Sequence, residues 1–189
     1  MNNKYEKFLN KSKIISLSLI LPLLIFTPFQ NNNEIKAALE FQWDQNTGYR
    51  RLKWYQKDGL KRARNTIFFF LRPSDRKGSL LKITLKIPKT FKSNLKEEKI
   101  SFCKVNIGGF ESRTKCIDDI PADIELNEDR TSLDIFPYKP VLNNKDSLAI
   151  VLKMFNPKRT GLYQFHTYGQ YSGNNSVSTY LGSATIVID

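Results

Sequence analysis

The sequence is poor in the residues on which several classes of protein depend. Its 189 residues include one histidine, two cysteines, nine glycines and eight prolines. Two cysteines are too few for a disulfide-built miniprotein, and glycine and proline are too rare for a fibrous chain. The 40% of hydrophobic and 25% of charged residues are ordinary proportions, which exclude an intrinsically disordered chain. A hydrolase built on serine or cysteine usually needs an imidazole base, so a single histidine also disfavours that chemistry.

The amino-terminal segment has the pattern of a secretory signal peptide. Residues 1–13 carry four lysines against one glutamate, and residues 14–29 are almost wholly apolar. A polar stretch then ends at Ala37 and Ala38, whose small side chains predict cleavage between them and export to the periplasm, cell envelope or medium. The alternative is an uncleaved anchor, although the 16 apolar residues include two prolines and fall short of the roughly 20 that a spanning helix needs.

Cleavage at this position leaves a mature domain of 152 residues, 38–189. Residues 1–37 contain five lysines and two glutamates, so the formal charge falls from +12 to +9. A chain of this length buries enough surface for one core, and a second domain is not required. Both Cys103 and Cys116 lie in the exported part, where an oxidising compartment favours a disulfide that contributes about 3 kcal/mol. Two free buried thiols are the alternative; a zinc site needs four ligands, so no metal or cofactor is expected.

Alternation of apolar and polar residues with a period of two dominates the mature sequence and predicts β-strands. Residues 81–87 show it most clearly, and Ile124 and Leu126 face Leu133 and Ile135 across a four-residue turn that predicts a hairpin. The apolar run 66–71 suggests a central strand. Other candidates are residues 39–43, 52–56, 100–107, 147–155, 162–168 and 179–188.

About ten short strands with little helix predict an all-β fold, a single antiparallel β-sandwich. Residues 90–99 alone suggest a helix, because Phe91 and Leu95 are spaced i, i+4. Residues 156–161 form a turn that joins the next pair of strands. Residues 45–64 and 169–178 are expected to be the longest loops or the weakest strands.

Catalytic residues are hard to find in this sequence. His166 lies in a strand pattern that places it on the outer surface with Gln164 and Tyr168 if Tyr163 and Phe165 face inward. The acidic segment could serve glycoside hydrolysis or calcium binding, but its spacing fits no EF-hand, and a solvated edge is the simpler interpretation. Its members are Asp118 and Asp119, expected in a turn, followed by Asp123, Glu125, Glu128 and Asp129. We therefore expect no enzyme activity.

One segment is strongly basic and also contains aromatic residues. Between residues 50 and 64 the cations are Arg50, Arg51, Lys53, Lys57, Lys61, Arg62 and Arg64, with Trp54 and Tyr55 among them. Cations beside aromatic rings suit phosphate or sulfate groups and sugar or base faces. Because export makes nucleic acid an improbable target, an anionic envelope polymer or membrane surface is the expected partner. The alternative is a solubilising face whose aromatic residues belong to the core.

Several turn residues follow one another in a characteristic order. The carboxyl third supplies Pro140-Val141, Asn156-Pro157, Gly161 with Tyr163 and Phe165, Gly173 and Tyr180-Leu181-Gly182, and the earlier half supplies Ile87-Pro88, Cys103, Gly108-Gly109, Cys116 and Ile120-Pro121. This order resembles the cyanobacterial family of exported proteins with "domain of unknown function 2808". The family's usual Ala-Phe-Pro-Ala-Gly stretch is here Tyr-Gly-Gln-Tyr-Ser-Gly at 168–173. The resemblance implies export and one β-rich domain, with no established activity.

These patterns together predict a non-catalytic, exported protein that binds or organises material at the cell envelope. Two other roles remain open. A hydrolase or lyase could act on an envelope glycan through the acidic segment. A subunit of a surface assembly could pair with its neighbours through edge strands.

Overall fold

A computed structural model describes residues 49–109, 111–173 and 177–189 of the chain. The predicted signal peptide, its cleavage site at Ala37 and Ala38, and the candidate strand at 39–43 lie outside these residues. The strands are β1 (Trp54–Gln56), β2 (Arg64–Leu71), β3 (Leu80–Lys86), β4 (Ile100–Asn106), β5 (Lys115–Asp119), β6 (Ala122–Leu126), β7 (Ser132–Pro137), β8 (Leu148–Phe155), β9 (Gly161–Tyr171) and β10 (Thr179–Ile188).

The ten strands form two five-stranded sheets, which confirms the predicted antiparallel sandwich. Sheet I has the order β1-β2-β8-β4-β5, and sheet II has the order β10-β9-β3-β7-β6. All strand pairs within the sheets are antiparallel. The predicted hairpin is present, since Ile124 pairs with Ile135 and Leu126 with Leu133 between β6 and β7.

Alternate residues of both sheets fill the space between them. Phe69 of β2 and Phe165 of β9 are fully buried, and their ring centroids lie 5.0 Å apart. Phe91, from the segment after β3, packs edge-on against Phe165, also at 5.0 Å. Burying three phenylalanine rings removes several hundred Å² of apolar surface from water, on the order of 5 kcal/mol or more. Aromatic contacts between the sheets therefore anchor the core.

The central strands of sheet I are apolar on both faces. On the outer face, Phe68 and Phe70 of β2 lie beside Ala149 and Val151 of β8, and all four are at most 5% exposed. Ile107 and Cys116 pack against this outer cluster. A strand buried on both faces loses the alternating pattern, which explains why residues 66–71 appear as one continuous apolar run and confirms their central position.

Two local predictions were wrong. Residues 90–99 form no α-helix; Phe91 and Leu95 are buried, but they lie in an irregular segment that ends in a single 3₁₀ turn at Glu97–Lys99. Their i, i+4 spacing therefore reflects two separate core contacts. Asp118 and Asp119 belong to strand β5 and not to a turn. That strand was missed because most of its residues are exposed at the edge of the sheet, so it carries little apolar alternation.

The two sheets are connected along both of their sides. On one side the segment before β1 bridges to β10, where Leu52 N donates to Ser183 O at 2.8 Å and Ser183 N donates to Arg50 O at 2.7 Å. On the other side the chain passes directly from β5 to β6 in the opposite sheet. The turn predicted at 156–161 joins the strands on either side of it, β8 and β9, and because these lie in different sheets it also connects sheet I to sheet II. Over the described ranges, no helix is long and apolar enough to cross a membrane.

Candidate functional site

The basic segment begins at the edge of sheet I, where strand alternation divides it between two faces. Leu52 is buried, and Trp54 packs partly buried against the core. Arg51, Lys53 and Tyr55 are exposed, because successive side chains of an extended strand point to opposite faces. Cations and an aromatic ring therefore share the outward face of the segment 51–55, which leads into β1.

A groove of about 570 Å³ opens beside this outward face. Its lining combines cationic, aromatic and small residues, with no acidic side chain: Arg51, Leu52, Lys53, Trp54, Tyr55, Phe70, Arg72, Ile107, Gly108 and Thr114. We call it the basic groove. Its volume is within the range of roughly 300–1,000 Å³ that is typical of ligand sites. Of the cations and aromatic residues singled out in the sequence, Arg51, Lys53, Trp54 and Tyr55 meet here.

Arg50 lies near the same end of the sandwich, although it does not line the groove. Its Nη2 donates to Ser74 O at 3.3 Å, in the 3₁₀ turn Pro73–Asp75 that follows Arg72. Arg50 therefore adds a third positive charge to those of Arg51 and Lys53. No described carboxylate lines this groove to neutralise these three.

Arg72 is the cation of the groove that the sequence analysis missed. Its Nε and Nη2 donate to the two carboxylate oxygens of Asp75, each at 2.9 Å, while its backbone N donates to the same carboxylate. This hydrogen bonding raises the pKa of Arg72, and burial acts in the opposite direction. Asp75 is 6% exposed, so the pair holds the guanidinium in one orientation and contributes little net charge. A local Arg-x-x-Asp spacing was the only available signal.

The remaining cations of the segment lie elsewhere. Lys61 N donates to Asp189 O at 2.7 Å, and Arg62 N to Pro157 O at 3.2 Å. Arg64 lies over the ring of Phe155, 5.7 Å from its centroid. The segment at the groove is hydrogen-bonded to Ser183 of β10, whereas Lys61 is hydrogen-bonded to Asp189, just after β10. Because Ser183 and Asp189 are six extended residues apart, the cations at the groove and those near Lys61 are separated by roughly 20 Å. Lys57 lies between them, at the end of β1, where its N donates to Thr66 O.

The disulfide supports the wall opposite β1. Cys103 and Cys116 are bonded as predicted, with their Cα atoms 5.7 Å apart. They join β4 to β5 and enclose the loop that supplies Ile107, Gly108 and Thr114 to the groove. Within that loop Gly108 N donates to Thr114 Oγ1 at 3.0 Å. Cross-linking the two strands therefore limits how far this wall can move.

The acidic residues are spread over two sheets. Asp118 and Asp119 are on β5 and Asp123 and Glu125 are on β6, and all four are exposed. Asp123 accepts a hydrogen bond from Tyr138 Oη at 2.9 Å. Glu128 and Asp129 line a surface groove of about 460 Å³ together with the cations Lys89, Lys92 and Arg130.

Among the residues that the structure describes, one further group of potential metal ligands and the single histidine are candidate sites. The sulfur atoms of Cys103 and Cys116 lie within 4.8 Å of a carboxylate oxygen of Asp119, but sulfurs committed to a disulfide are not the thiolate ligands that zinc uses. His166 is on the outer face of sheet II, 6.2 Å from the ring of Tyr180. It lies opposite the inward-facing Tyr163 and Phe165, as the alternation predicts.

The chain belongs to the family described as "Protein of unknown function (DUF2808)", whose profile matches residues 40–188. The match spans the whole sandwich, including the groove and the disulfide, and confirms the family resemblance. Cyanobacterial origin remains a prediction. No curated protein matches the chain.

Several solved structures resemble this architecture. The collagen-binding domain of a Staphylococcus aureus adhesin has a TM-score of 0.40 and 12% identity, with 71% of this chain and 95% of that chain covered. BslA, a bacterial hydrophobin, has a TM-score of 0.42 and 14% identity, covering 74% and 98%. A Nocardia farcinica protein with an immunoglobulin-like fold has a TM-score of 0.39 and 9% identity, covering 73% and 97%. Likeness at this level is too low to transfer a ligand.

Proposed function

We propose that this DUF2808 protein is an exported, non-catalytic domain that binds an anionic polysaccharide of the cell envelope in the basic groove. The observation that carries the proposal is the meeting of Arg51 and Lys53 with the exposed Tyr55 in one groove without a lining carboxylate. Uronate or sulfate groups would pair with the cations, while the ring of Tyr55 would contact the apolar face of a sugar. Export is supported by the disulfide, since disulfides persist in oxidising compartments.

The groove favours a polymer chain over a flat lipid surface. Its walls come from β1 on one side and from the loop containing Ile107 and Gly108 on the other, with Phe70 between them. A concave site between two walls encloses a single chain, whereas a bilayer surface would meet only the outermost cations. Tyr55 is 41% exposed and its ring lies 6.0 Å from that of Phe68, so it is supported from below and accessible from above.

The test is salt-dependent retention on immobilised heparin, a sulfated polysaccharide. The variant Arg51→Gln/Lys53→Gln removes two charges from the groove, and Lys61→Gln/Arg62→Gln removes two from the other end of the same segment. All four side chains are exposed, so both variants should fold, and their net charges are equal. We expect the groove variant to elute at clearly lower salt than the control variant, because short-range pairing in the groove is lost.

Equal elution of the two variants would show that binding is diffuse and would reject the groove as the site. Vesicles containing phosphatidylglycerol form the second arm. Stronger groove-dependent binding to these vesicles than to heparin would replace the polysaccharide with a membrane surface. Failure of the native protein to bind heparin above physiological salt would reject the anionic polymer itself.

A further inference from the structure

The outer face of sheet II carries a second, chemically different surface. Strand β9 buries Tyr163, Phe165 and Thr167, so alternation places His166, Tyr168 and Gln170 on the outside. The outward Tyr180 of β10 pairs with Tyr168 in the sheet. The ring centroids of the two tyrosines lie 5.4 Å apart, and all four outward side chains are half-buried. The rings of Tyr168 and Tyr180 are therefore packed against their neighbours and remain partly accessible at the surface.

Strand pairing extends this surface across the sheet. Tyr168 pairs with Thr84 of β3, and Thr84 pairs with Asp134 of β7. Together with Tyr180 these residues form one row over four adjacent strands. We call this row, with its neighbours His166, Lys82, Lys86 and Gln170, the tyrosine face.

The polar members of the tyrosine face hold one another in place. Thr84 Oγ1 donates to Asp134 Oδ1, and Lys82 Nζ lies 3.1 Å from Asp134 Oδ2. Lys82 Nζ also lies 4.7 Å from the ring centroid of Phe136, and Lys86 Nζ donates to Ser132 Oγ at 2.9 Å. Donors and acceptors held in position pay less entropy on binding than mobile ones.

A groove of about 370 Å³ runs beside Tyr168 on this face. Its lining contains hydroxyl, amide, ammonium and carboxylate groups: Lys82, Thr84, Lys86, Asp134, Tyr168, Gln170 and Ser178. The lining has two cations, Lys82 and Lys86, and one carboxylate, Asp134. Glu125 and Asp123 lie next in the same sheet, opposite Asp134 and Phe136, and bring the carboxylates of this region to three. Unlike the basic groove, this surface therefore has no excess of positive charge.

From this arrangement we infer that the tyrosine face binds a neutral polysaccharide chain. A pyranose ring has an apolar C–H face, which can stack on the tyrosine rings, and an equatorial rim of hydroxyls, which exchange hydrogen bonds with Thr84, Asp134 and Gln170. Because the tyrosine face has no excess of positive charge, it does not favour an anionic sugar over an uncharged one. The site is on the opposite sheet from the basic groove, and the inference does not rest on the function proposed for that groove.

The test is affinity electrophoresis in native gels that contain a neutral polysaccharide. Because the sequence pI is about 9.7, the protein is run toward the cathode. The probes are hydroxyethylcellulose, laminarin, soluble starch and galactomannan, with an empty gel as reference. We expect at least one probe to retard the native protein. Tyr168→Ala should weaken that retardation about tenfold, the scale of one well-packed aromatic contact, whereas Tyr168→Phe should retain most of it.

Two further measurements keep the test decisive. If Tyr168→Ala does not fold, Gln170→Ala and Lys86→Met probe the same groove through more peripheral side chains. His166 is the chain's only histidine, so its single imidazole NMR signal should shift when an oligosaccharide of the retarding polymer is added. The variant Arg51→Gln/Lys53→Gln should bind normally and salt should have little effect, which separates this site from the basic groove.

The inference is overturned if none of the four polysaccharides retards the protein. It is also overturned if retardation persists unchanged in Tyr168→Ala, or if it disappears in the basic-groove variant, because the sugar would then bind elsewhere.

Discussion

The side-chain amides of Asn65 and Asn156, 91 residues apart in the sequence, are hydrogen-bonded to each other at 2.9 Å. Both residues are buried, at 1% and 4% exposure. Asn65 Oδ1 accepts from the backbone N atoms of Lys57 and Asp58, and Asn156 Nδ2 donates to Asp58 O and Leu60 O. The pair thus supplies partners to the backbone between β1 and β2, a role that water has in an exposed loop.

Removal of this pair should destabilise the domain. Asn156→Ala removes the donor to Asp58 O and the acceptor of the Asn65 amide, whereas Leu60 O keeps its hydrogen bond from Ala63 N. Each buried unsatisfied group costs about 1–3 kcal/mol. We expect a loss of about 3 kcal/mol in the free energy of unfolding, measured with urea. The double variant should lose less stability than the sum of the two single losses, because the bond between Asn65 and Asn156 is removed by either change. Asn106→Ala, at an exposed position, is the control. Additive losses would show that the two amides act independently.

Gly182 permits the close approach of β10 to the segment before β1. Its φ is +147°, and a Cβ there would lie 2.6 Å from Arg50 O and 2.9 Å from Leu52 Cγ. Gly182→Ala should therefore cost about 2 kcal/mol or more and weaken the bridge between Arg50 and Ser183. Gly109→Ala is the matched control, since its Cβ would meet nothing within 4 Å. Urea unfolding, with amide exchange of Ser183, provides the measurement; equal stability of both variants would contradict the prediction.

Arg76 holds the loop before β8 through its guanidinium. Although it is only 3% exposed, its Nη1 donates to Leu142 O at 3.1 Å and its Nη2 to Asp146 O at 2.6 Å. Burial lowers the pKa of Arg76, and the charge of Asp146 partly opposes this. Arg76→Lys keeps the charge but cannot reach both carbonyls, so we expect a loss of about 3 kcal/mol. The control is Arg113→Lys at an exposed position, which should change the thermal unfolding temperature little. Equal losses of stability in the two variants would show that the two hydrogen bonds of the Arg76 guanidinium do not stabilise the loop.

Tyr138 and Asp123 predict a change at alkaline pH. The hydrogen bond to Asp123, followed by the charge of that carboxylate, raises the pKa of Tyr138 above the ordinary value of 10.0. Because the folded pKa is the higher one, this contact stabilises the fold below pH 10, and its contribution is lost as the pH rises through the folded pKa. Asp123→Asn should make one tyrosine ionise earlier in an ultraviolet titration. Asp129→Asn should not, and identical curves for the two variants would refute the assignment.

Local sequence patterns were sufficient for most strands but not for their connections. Residues 81–87 alternate cleanly because β3 has one face in the core and one face outside. β5 was missed because an exposed edge strand has no buried face to produce alternation. The spacing of Phe91 and Leu95 was misleading, since two residues can reach the core without belonging to one helix. The spacing of apolar residues indicates which side chains are buried. It indicates only indirectly whether the backbone that carries them is a helix, a strand or an irregular segment.

The groove was only half predictable from the sequence. Arg51, Lys53 and Trp54 stand out because they are adjacent in the chain, and adjacency is visible in a sequence. Arg72 and the loop at Gly108 join them because β2, β8 and β4 are neighbours in sheet I, which places distant segments side by side. The pairing of strands also places Lys61 and Arg62 at the far end of the sandwich, away from the groove.

The sequence alone determined the all-β class and the sandwich, and it predicted the pairing of Cys103 with Cys116. These follow from the two-residue period of strands and from a count of two cysteines, both of which are local or compositional properties. Only the tertiary structure decided which cations share a groove and that Tyr168 and Tyr180 form one face. Strand order and register depend on the total packing free energy of many residue pairs that are far apart in the chain. No single stretch of sequence contains all of these residues.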